Sequence, residues 1–214
     1  MALDDAFDPE AVLALSVVAT FVFGLSGGMA AVRAGLDLFG VLVLAAVVGL
    51  AGGVTRDLLI GIAPTTFRDG RYLAAVGAAG LVCIAAHARL ERIGSAVLLF
   101  DAIGLSLFCV TGATTALAFG LSAPQAVILG AVTAIGGGML RDVLLLEVPT
   151  VLRSELYAVP AVLGAAVVAV AHAFGSDSAL WALLGAALCL AVRLFGMRYR
   201  VDLPSAPVRW RRQR

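Results

Sequence analysis

The chain has 214 residues, of which 62% are hydrophobic and only 14% are charged, and its formal net charge is +1. Soluble proteins have roughly 45–50% apolar and about 25% charged residues, so a mean hydropathy of +1.05 excludes an ordinary water-soluble domain. We therefore treat the chain as a membrane protein and follow its segments in order.

Apolar windows that are uncharged except for Asp101 recur along the chain, and they are long enough to cross a bilayer. A transmembrane helix needs about 20 predominantly apolar residues. Seven spans are predicted, at 11–32, 38–55, 72–88, 95–119, 123–140, 156–173 and 178–192. The last two windows are short, so we expect their ends to tilt or to be extended by snorkelling side chains. The first window follows an acidic start without a cleavage site, so we expect it to be retained.

The chain contains the same segment twice, with a shift of 141 − 56 = 85 residues. The shared motif is Gly-Gly-x-x-Arg-Asp, which ends at Asp57 and again at Asp142. The register also relates these pairs: Phe23 and Phe108, Gly27 and Gly112, Pro64 and Pro149, Thr65 and Thr150, Tyr72 and Tyr157. Because each copy holds three spans, an odd number, the second copy must be inverted relative to the first.

The predicted fold class is an all-α membrane protein, with seven transmembrane helices arranged as two inverted three-helix repeats plus a seventh helix. We expect a single transmembrane domain at 1–200, with repeat one at 11–90, repeat two at 95–174 and the seventh helix at 178–196. A basic cytoplasmic tail is expected at 201–214.

The arginines predict the orientation, because the sequence contains no lysine and all 15 basic residues are Arg. The segment after the seventh window is rich in arginine from Arg193 onwards, whereas the amino-terminal segment is acidic. Positive residues favour the cytoplasmic side, so we expect the carboxyl end inside and the amino end outside. The compact chain and the lack of recognisable targeting segments favour a prokaryotic plasma (inner) membrane. We expect the tail to contact lipid headgroups and not nucleic acid.

Glycine runs interrupt spans two and five. Each glycine in a helix interior costs roughly 1 kcal/mol relative to alanine, so we expect these helices to bend or unwind there and to border a pore. The alternative is that the glycines let neighbouring helices pack closely. The residues are Gly52, Gly53, Gly136, Gly137 and Gly138.

Charged pairs follow both glycine runs. Arg56, Asp57, Arg141 and Asp142 would together cost roughly 10–14 kcal/mol at mid-bilayer, at about 2.5–3.5 kcal/mol each. Adjacent helix residues do not face one another, so we expect cross-pairs between the repeats, Arg56 with Asp142 and Arg141 with Asp57. The alternative is that each pair anchors a helix end at the membrane interface.

Three further polar residues are candidates for the pore. Asp101 lies in an apolar window, and Ser16 is its counterpart in repeat one. A carboxylate there either attracts a cation or lies at headgroup level. Thr133 shares a helix face with Gly137 and Arg141. No nucleophile with a base, metal-ligand cluster or nucleotide loop is recognisable, so we expect neither an enzyme nor a cofactor, and no metal beyond transient monovalent cations.

The doubled motif, with a proline seven residues after each aspartate, resembles the prokaryotic TRIC (trimeric intracellular cation) channels and the bacterial membrane proteins with a glycine transporter domain. The resemblance implies a homotrimer with a pore in each subunit, lined by spans two and five, kinked at their glycines, and permeable to potassium. A secondary transporter of glycine or a similar small solute remains the alternative.

Overall fold

A computed structural model describes residues 9–90, 96–153 and 156–199. The described residues form seven α-helices and two short 3-10 helices, Thr65–Phe67 and Thr150–Leu152. The α-helices are α1 Pro9–Arg33, α2 Leu38–Ile60, α3 Gly70–Leu90, α4 Ala96–Ala118, α5 Ala123–Leu144, α6 Ala158–Ala173 and α7 Ala179–Tyr199. The predicted all-α fold with seven helices is confirmed. The tail predicted at 201–214 lies outside the described residues.

Local sequence signals explain where the two central helices begin. Asp37 is the N-cap of α2, and its carboxylate accepts a hydrogen bond from the Gly40 amide at 2.8 Å. At the start of α5, the Ser122 amide donates to the Gln125 side chain at 2.9 Å, which is half of a capping box. Gly61 ends α2 in the left-handed conformation, with φ of 86°, which glycine adopts without strain.

Six of the helices are long and apolar enough to cross a membrane. The exception is α6, an apolar helix of 16 residues, in agreement with its short window in the sequence. Both α2 and α5 extend beyond their predicted windows, to Ile60 and Leu144. They include the Arg-Asp pairs because the charges are satisfied inside the protein, as described below.

The two repeats pack against each other in opposite orientations, related by a pseudo-two-fold axis. Helix α1 packs against its counterpart α4, and α2 packs against its counterpart α5. Near one end of the bundle, Ser26 in the last part of α1 donates a hydrogen bond to the Val97 carbonyl at the start of α4. A cavity at the other end is lined by Pro9, where α1 starts, and by Ala118, where α4 finishes. The two helices are therefore antiparallel, as the inverted repeat requires.

The expectation that α2 and α5 unwind at their glycines is wrong, because both helices are continuous through them. The glycines instead let the two helices cross closely. A Cβ atom at Gly52 would overlap the carbonyl oxygen of Thr133, and one at Gly137 would overlap the carbonyl oxygen of Val48. Val48 and Thr133 are themselves counterparts 85 residues apart, so the contact is symmetric. The close-packing alternative describes these glycines correctly.

Candidate functional site

In repeat one, the adjacent residues Arg56 and Asp57 form an ion pair with each other. The guanidinium of Arg56 donates from Nε and Nη2 to Asp57 Oδ1, at 2.8 and 2.7 Å. The other carboxylate oxygen of Asp57 accepts from the amide and the hydroxyl of Thr65, both at 2.7 Å. Arg56 and Asp57 are buried in the protein. The pair thus neutralises its own charge and ties the end of α2 to the following 3-10 helix.

Repeat two has the same arrangement. Arg141 donates from Nε and Nη2 to Asp142 Oδ1 at 2.9 and 2.8 Å. Asp142 Oδ2 accepts from the amide and hydroxyl of Thr150 at 2.7 and 2.8 Å. The threonines that follow each proline are therefore part of the site, and the repeat register alone could have identified them.

The predicted cross-pairs, Arg56 with Asp142 and Arg141 with Asp57, are wrong. A flexible arginine side chain can curl back onto the neighbouring carboxylate, although the two Cβ atoms point in different directions. The inverted packing also places the two sites at opposite ends of the bundle, out of reach of each other. Both pairs lie close to the ends of their helices, and protein covers them.

The two sites differ by one carboxylate. In repeat two, Arg141 Nη1 also donates to Asp101 Oδ1 and to the Ser26 hydroxyl, both at 2.7 Å. The Tyr157 hydroxyl donates to the same Asp101 oxygen at 3.1 Å. In repeat one the place of Asp101 is taken by Ser16, which lies next to Tyr72. Asp101 is thus part of a buried ion-pair network.

An arginine that the sequence analysis counted with the basic segment after the seventh window belongs to this network. Arg193 lies within α7 and is only 2% exposed. Its guanidinium lies over the Tyr157 ring, 4.5 Å from the centroid, and its Nη1 donates to the Leu156 carbonyl at 2.9 Å. Arg193 lies just after the uncharged window but within the seventh helix, because α7 continues well past that window. Helical spacing from Cys189 to Arg193 could have predicted that both share a buried face.

A cavity of about 430 Å³ borders the repeat-one site. It lies between the start of α1, the end of α2, the segment that follows α2, and the end of α4. Its polar and charged lining residues are Ser16, Arg56, Asp57, Thr65, Arg68, Asp69, Tyr72, Thr114 and Thr115. Its apolar lining residues are Pro9, Val12, Leu13, Ile62, Ala118 and Phe119. We call this cavity the vestibule.

An aromatic contact separates the two charged sites. The rings of Phe23 and Phe108 stack with centroids 5.3 Å apart and an interplanar angle of 21°. Both are buried, and because they are counterparts in the repeat, their contact lies on the pseudo-two-fold axis. Thr133 is buried close to this axis, and its hydroxyl donates to the Leu129 carbonyl of its own helix at 2.6 Å.

The remaining glycines have unequal surroundings. Gly136 lies against the Gly52 Cα, where an added Cβ would be at 3.4 Å. Gly138 faces the Tyr157 hydroxyl and Asp101, whereas its counterpart Gly53 has only the Thr66 side chain nearby, at 3.5 Å. Within the described part of the chain, no group of three His, Cys, Asp or Glu residues could hold a metal ion.

The chain matches the family model described as glycine transporter twice, at residues 13–88 and 98–173. The two matches are 85 residues apart, which confirms the duplication. A UPF0126 membrane protein of Streptomyces coelicolor is 44% identical over 94% of this chain and 93% of its own length. The UPF0126 inner membrane protein YadS of Escherichia coli is 32% identical over 89% of this chain and 94% of its own.

Solved structures of TRIC cation channels share the fold. One has a TM-score of 0.83 and 33% identity, over 91% of this chain and 97% of its own. The trimeric intracellular cation channel orthologue from Rhodobacter sphaeroides has a TM-score of 0.83 and 35% identity, over 89% of this chain and 99% of its own. The chain is therefore a multi-pass membrane protein of the glycine transporter family, and by sequence and structure it belongs with the TRIC channels.

Proposed function

We propose that this chain is a channel for monovalent cations, permeable to potassium, with a pore inside each subunit. The observation that carries the proposal is the likeness to TRIC cation channels over nearly the whole chain, at 33–35% identity. The likeness includes the inverted repeat, and inverted repeats place an ion path at the interface between the two halves.

The proposed path runs along the pseudo-two-fold axis between α1, α2, α4 and α5. It enters through the vestibule, passes the Phe23–Phe108 contact and ends at the Asp101 network. Dry aromatic contacts can close a pore by excluding water, and we propose that the Phe23–Phe108 contact closes this path. The proposed pore and gate residues are Ser16, Gly52, Gly53, Arg56, Asp57, Asp101, Thr133, Gly136, Gly137, Gly138, Arg141 and Asp142.

Self-neutralised charge supports a path for cations. An unpaired arginine beside a narrow pore would repel them, but Arg56 is paired with Asp57 and Arg141 with two carboxylates. The second oxygen of Asp101 is buried and has no hydrogen-bond partner among the described residues. Such an oxygen is an acceptor for a passing cation once the path is wet. A bend at the glycines of α2 and α5 would be one way to open the path.

Assembly and orientation form part of the proposal. The relative from Rhodobacter sphaeroides is described as trimeric, and we propose a homotrimer in a prokaryotic plasma membrane, with lipids around it. We place the amino end outside and the carboxyl end in the cytoplasm.

All three native cysteines are free and buried, so single introduced cysteines can report the side of each loop. Ser178→Cys should react with an impermeant maleimide from outside intact cells, and Ala34→Cys should not; the reverse result would invert the proposed topology.

Recording from the purified full chain in planar bilayers tests conduction. In a potassium chloride gradient we expect discrete unitary currents that reverse close to the potassium equilibrium potential. Saturable glycine uptake into vesicles without unitary currents would contradict the channel and favour the transporter alternative.

Two variants on α1 locate the path. Ser16 is buried and lines the vestibule, whereas Val18 is 51% exposed on the outer face of the same helix. Ser16→Leu should reduce the unitary conductance because it narrows the vestibule, and Val18→Leu should leave it unchanged. Equal conductance in both variants would argue against a path through the vestibule.

A further inference from the structure

The two arginine sites are equivalent by the repeat, yet their hydrogen bonding is unequal. Arg141 uses Nε and Nη2 on Asp142 and Nη1 on Asp101 and Ser26. Arg56 uses Nε and Nη2 on Asp57, but its Nη1 has no hydrogen-bond partner among the residues that the structure describes. The Arg56 side chain is only 5% exposed. Because Arg56 lines the vestibule, water or a ligand there must accept the hydrogen bond that this donor does not make within the protein.

The surroundings of this donor resemble those of Asp101 with the carboxylate removed. In repeat two, Arg141 and Tyr157 both donate to one Asp101 oxygen. In repeat one, Arg56 and Tyr72 remain, Ser16 replaces the aspartate, and all three residues line the vestibule. The donors of Arg56 and Tyr72 therefore border the vestibule at the place that corresponds to the Asp101 carboxylate in repeat two.

One arginine beside the vestibule also favours an anion. Its lining contains Arg56, Arg68, Asp57 and Asp69, which sum to zero, but the Asp69 carboxylate is held by Arg71 at 2.8 Å. Counting Arg71 together with Glu10, its second partner at 3.5 Å, the total is +3 − 3 = 0. Arg68 is exposed at this site and forms no ion pair with a described residue. The surroundings of the vestibule are therefore neutral overall, and among the described residues Arg68 is the cation that remains available to an anionic ligand.

The remaining walls are apolar, including Leu13, Ile62 and Phe119. A volume of about 430 Å³ is in the range of small-molecule sites, which typically measure about 300–1,000 Å³ and combine apolar walls with a few polar groups. A compact organic anion suits such walls better than a strongly hydrated inorganic one.

We propose that the vestibule binds a small organic carboxylate, whose carboxylate group lies between Arg56 and Tyr72 as that of Asp101 lies between Arg141 and Tyr157. Its apolar body packs against Leu13, Ile62 and Phe119. In repeat two the carboxylate belongs to the protein, as the side chain of Asp101. In repeat one the corresponding carboxylate comes from the bound ligand. This inference concerns binding and does not depend on conduction, so binding can fail while unitary currents persist, and the reverse.

Titration calorimetry on the purified full chain tests the proposal, with benzoate and acetate as probes. We expect saturable binding of benzoate, and weaker binding of acetate, which has a smaller apolar body. Ser16→Asp supplies the missing carboxylate from the chain and should weaken benzoate binding by about tenfold or more, as expected for loss of a charge-assisted hydrogen bond. Ala34→Asp adds the same charge in the exposed turn at the far end of α1, away from the vestibule, and should bind within about threefold of the native chain.

Thermal unfolding provides a second measurement. Benzoate should raise the unfolding temperature of the native chain, and Ser16→Asp should raise it without ligand and then respond little to benzoate. Absence of benzoate binding by the native chain, or equal binding by Ser16→Asp and Ala34→Asp, would overturn the proposal. Inorganic phosphate or chloride binding as tightly as benzoate would overturn the carboxylate assignment. Tighter binding of glycine than of acetate would also overturn the carboxylate assignment. The glycine ammonium group would face the positive charges of Arg56 and Arg68, which should weaken its binding.

Discussion

The ring of Phe23 stacks on the ring of Phe108, its own counterpart 85 residues later, with centroids 5.3 Å apart. A residue that contacts its counterpart must lie on the axis that relates the two repeats. The stack is therefore equally placed between the Arg56 site and the Arg141 site. It is the apolar section of a proposed path that has buried charge at both ends.

Replacement of one aromatic ring of this stack by a smaller aliphatic side chain should favour the open channel. An aromatic pair contributes about 0.5–1.5 kcal/mol beyond its buried area, so Phe108→Leu should raise the open probability by about two- to tenfold. Single-channel recording measures this change. Phe39→Leu is the control, because Phe39 is 74% exposed and far from the axis. An unchanged open probability in Phe108→Leu, with unitary currents otherwise normal, would show that the stack does not close the path.

The crossing of α2 and α5 should tolerate no added methyl group at its centre. Gly52→Ala would place a Cβ against the Thr133 carbonyl, and overpacking of this kind costs about 1–3 kcal/mol of the free energy of unfolding. The neighbouring Gly53→Ala is the matched control. Its Cβ would be 3.5 Å from the Thr66 side chain, so it should be neutral or stabilising by up to about 1 kcal/mol. Thermal unfolding in detergent compares the two, and similar stabilities would contradict the close crossing.

Double-mutant cycles distinguish pairing within a repeat from pairing between repeats. Arg56→Gln combined with Asp57→Asn should show a coupling energy of about 1 kcal/mol or more, because the two side chains share two hydrogen bonds. Arg56→Gln combined with Asp142→Asn should be additive within about 0.5 kcal/mol, since these residues lie at opposite ends of the bundle. Unfolding in denaturant provides the energies. Strong coupling between Arg56 and Asp142 would restore the cross-paired arrangement that the structure rejects.

The sequence predicts the helices and the duplication well, because both depend on local or regular signals. Apolar windows reflect the thickness of the bilayer, and a constant shift of 85 residues reflects the internal symmetry. The same symmetry predicted that Arg56 and Arg141 occupy equivalent places. It could not identify their partners, because a two-fold relation is satisfied equally by pairing within each repeat and between the repeats.

The role of the glycines could not be decided from the sequence either. The energetic penalty of Gly52 in a helix is a local quantity, and taken alone it predicts a weak point. What the glycine allows is a tertiary contact with the Thr133 carbonyl, which appears only once α2 and α5 are packed together. The burial of Arg193 was not predicted for a related reason, since the uncharged window ended at Val192 while the helix and its buried face continue.

Arg193 should be required because it balances charge inside repeat two. The buried network contains two carboxylates, Asp101 and Asp142, and Arg141 alone cannot neutralise both. Removal of one partner from a buried ion network costs about 3–5 kcal/mol, so Arg193→Gln should lower the free energy of unfolding by that order. Arg198→Gln is the control on the same helix, because Arg198 is exposed, and it should have little effect.

The double variant decides whether charge balance is the reason. Asp101→Asn alone also unbalances the network and should destabilise the protein, but together with Arg193→Gln it leaves Arg141 opposite Asp142 with no net charge. We therefore expect the double variant to be more stable than the sum of the two single effects by about 1 kcal/mol or more. Unfolding in denaturant measures all three variants. Simple additivity would mean that Arg193 stabilises the protein through its packing on Tyr157 and not through its charge.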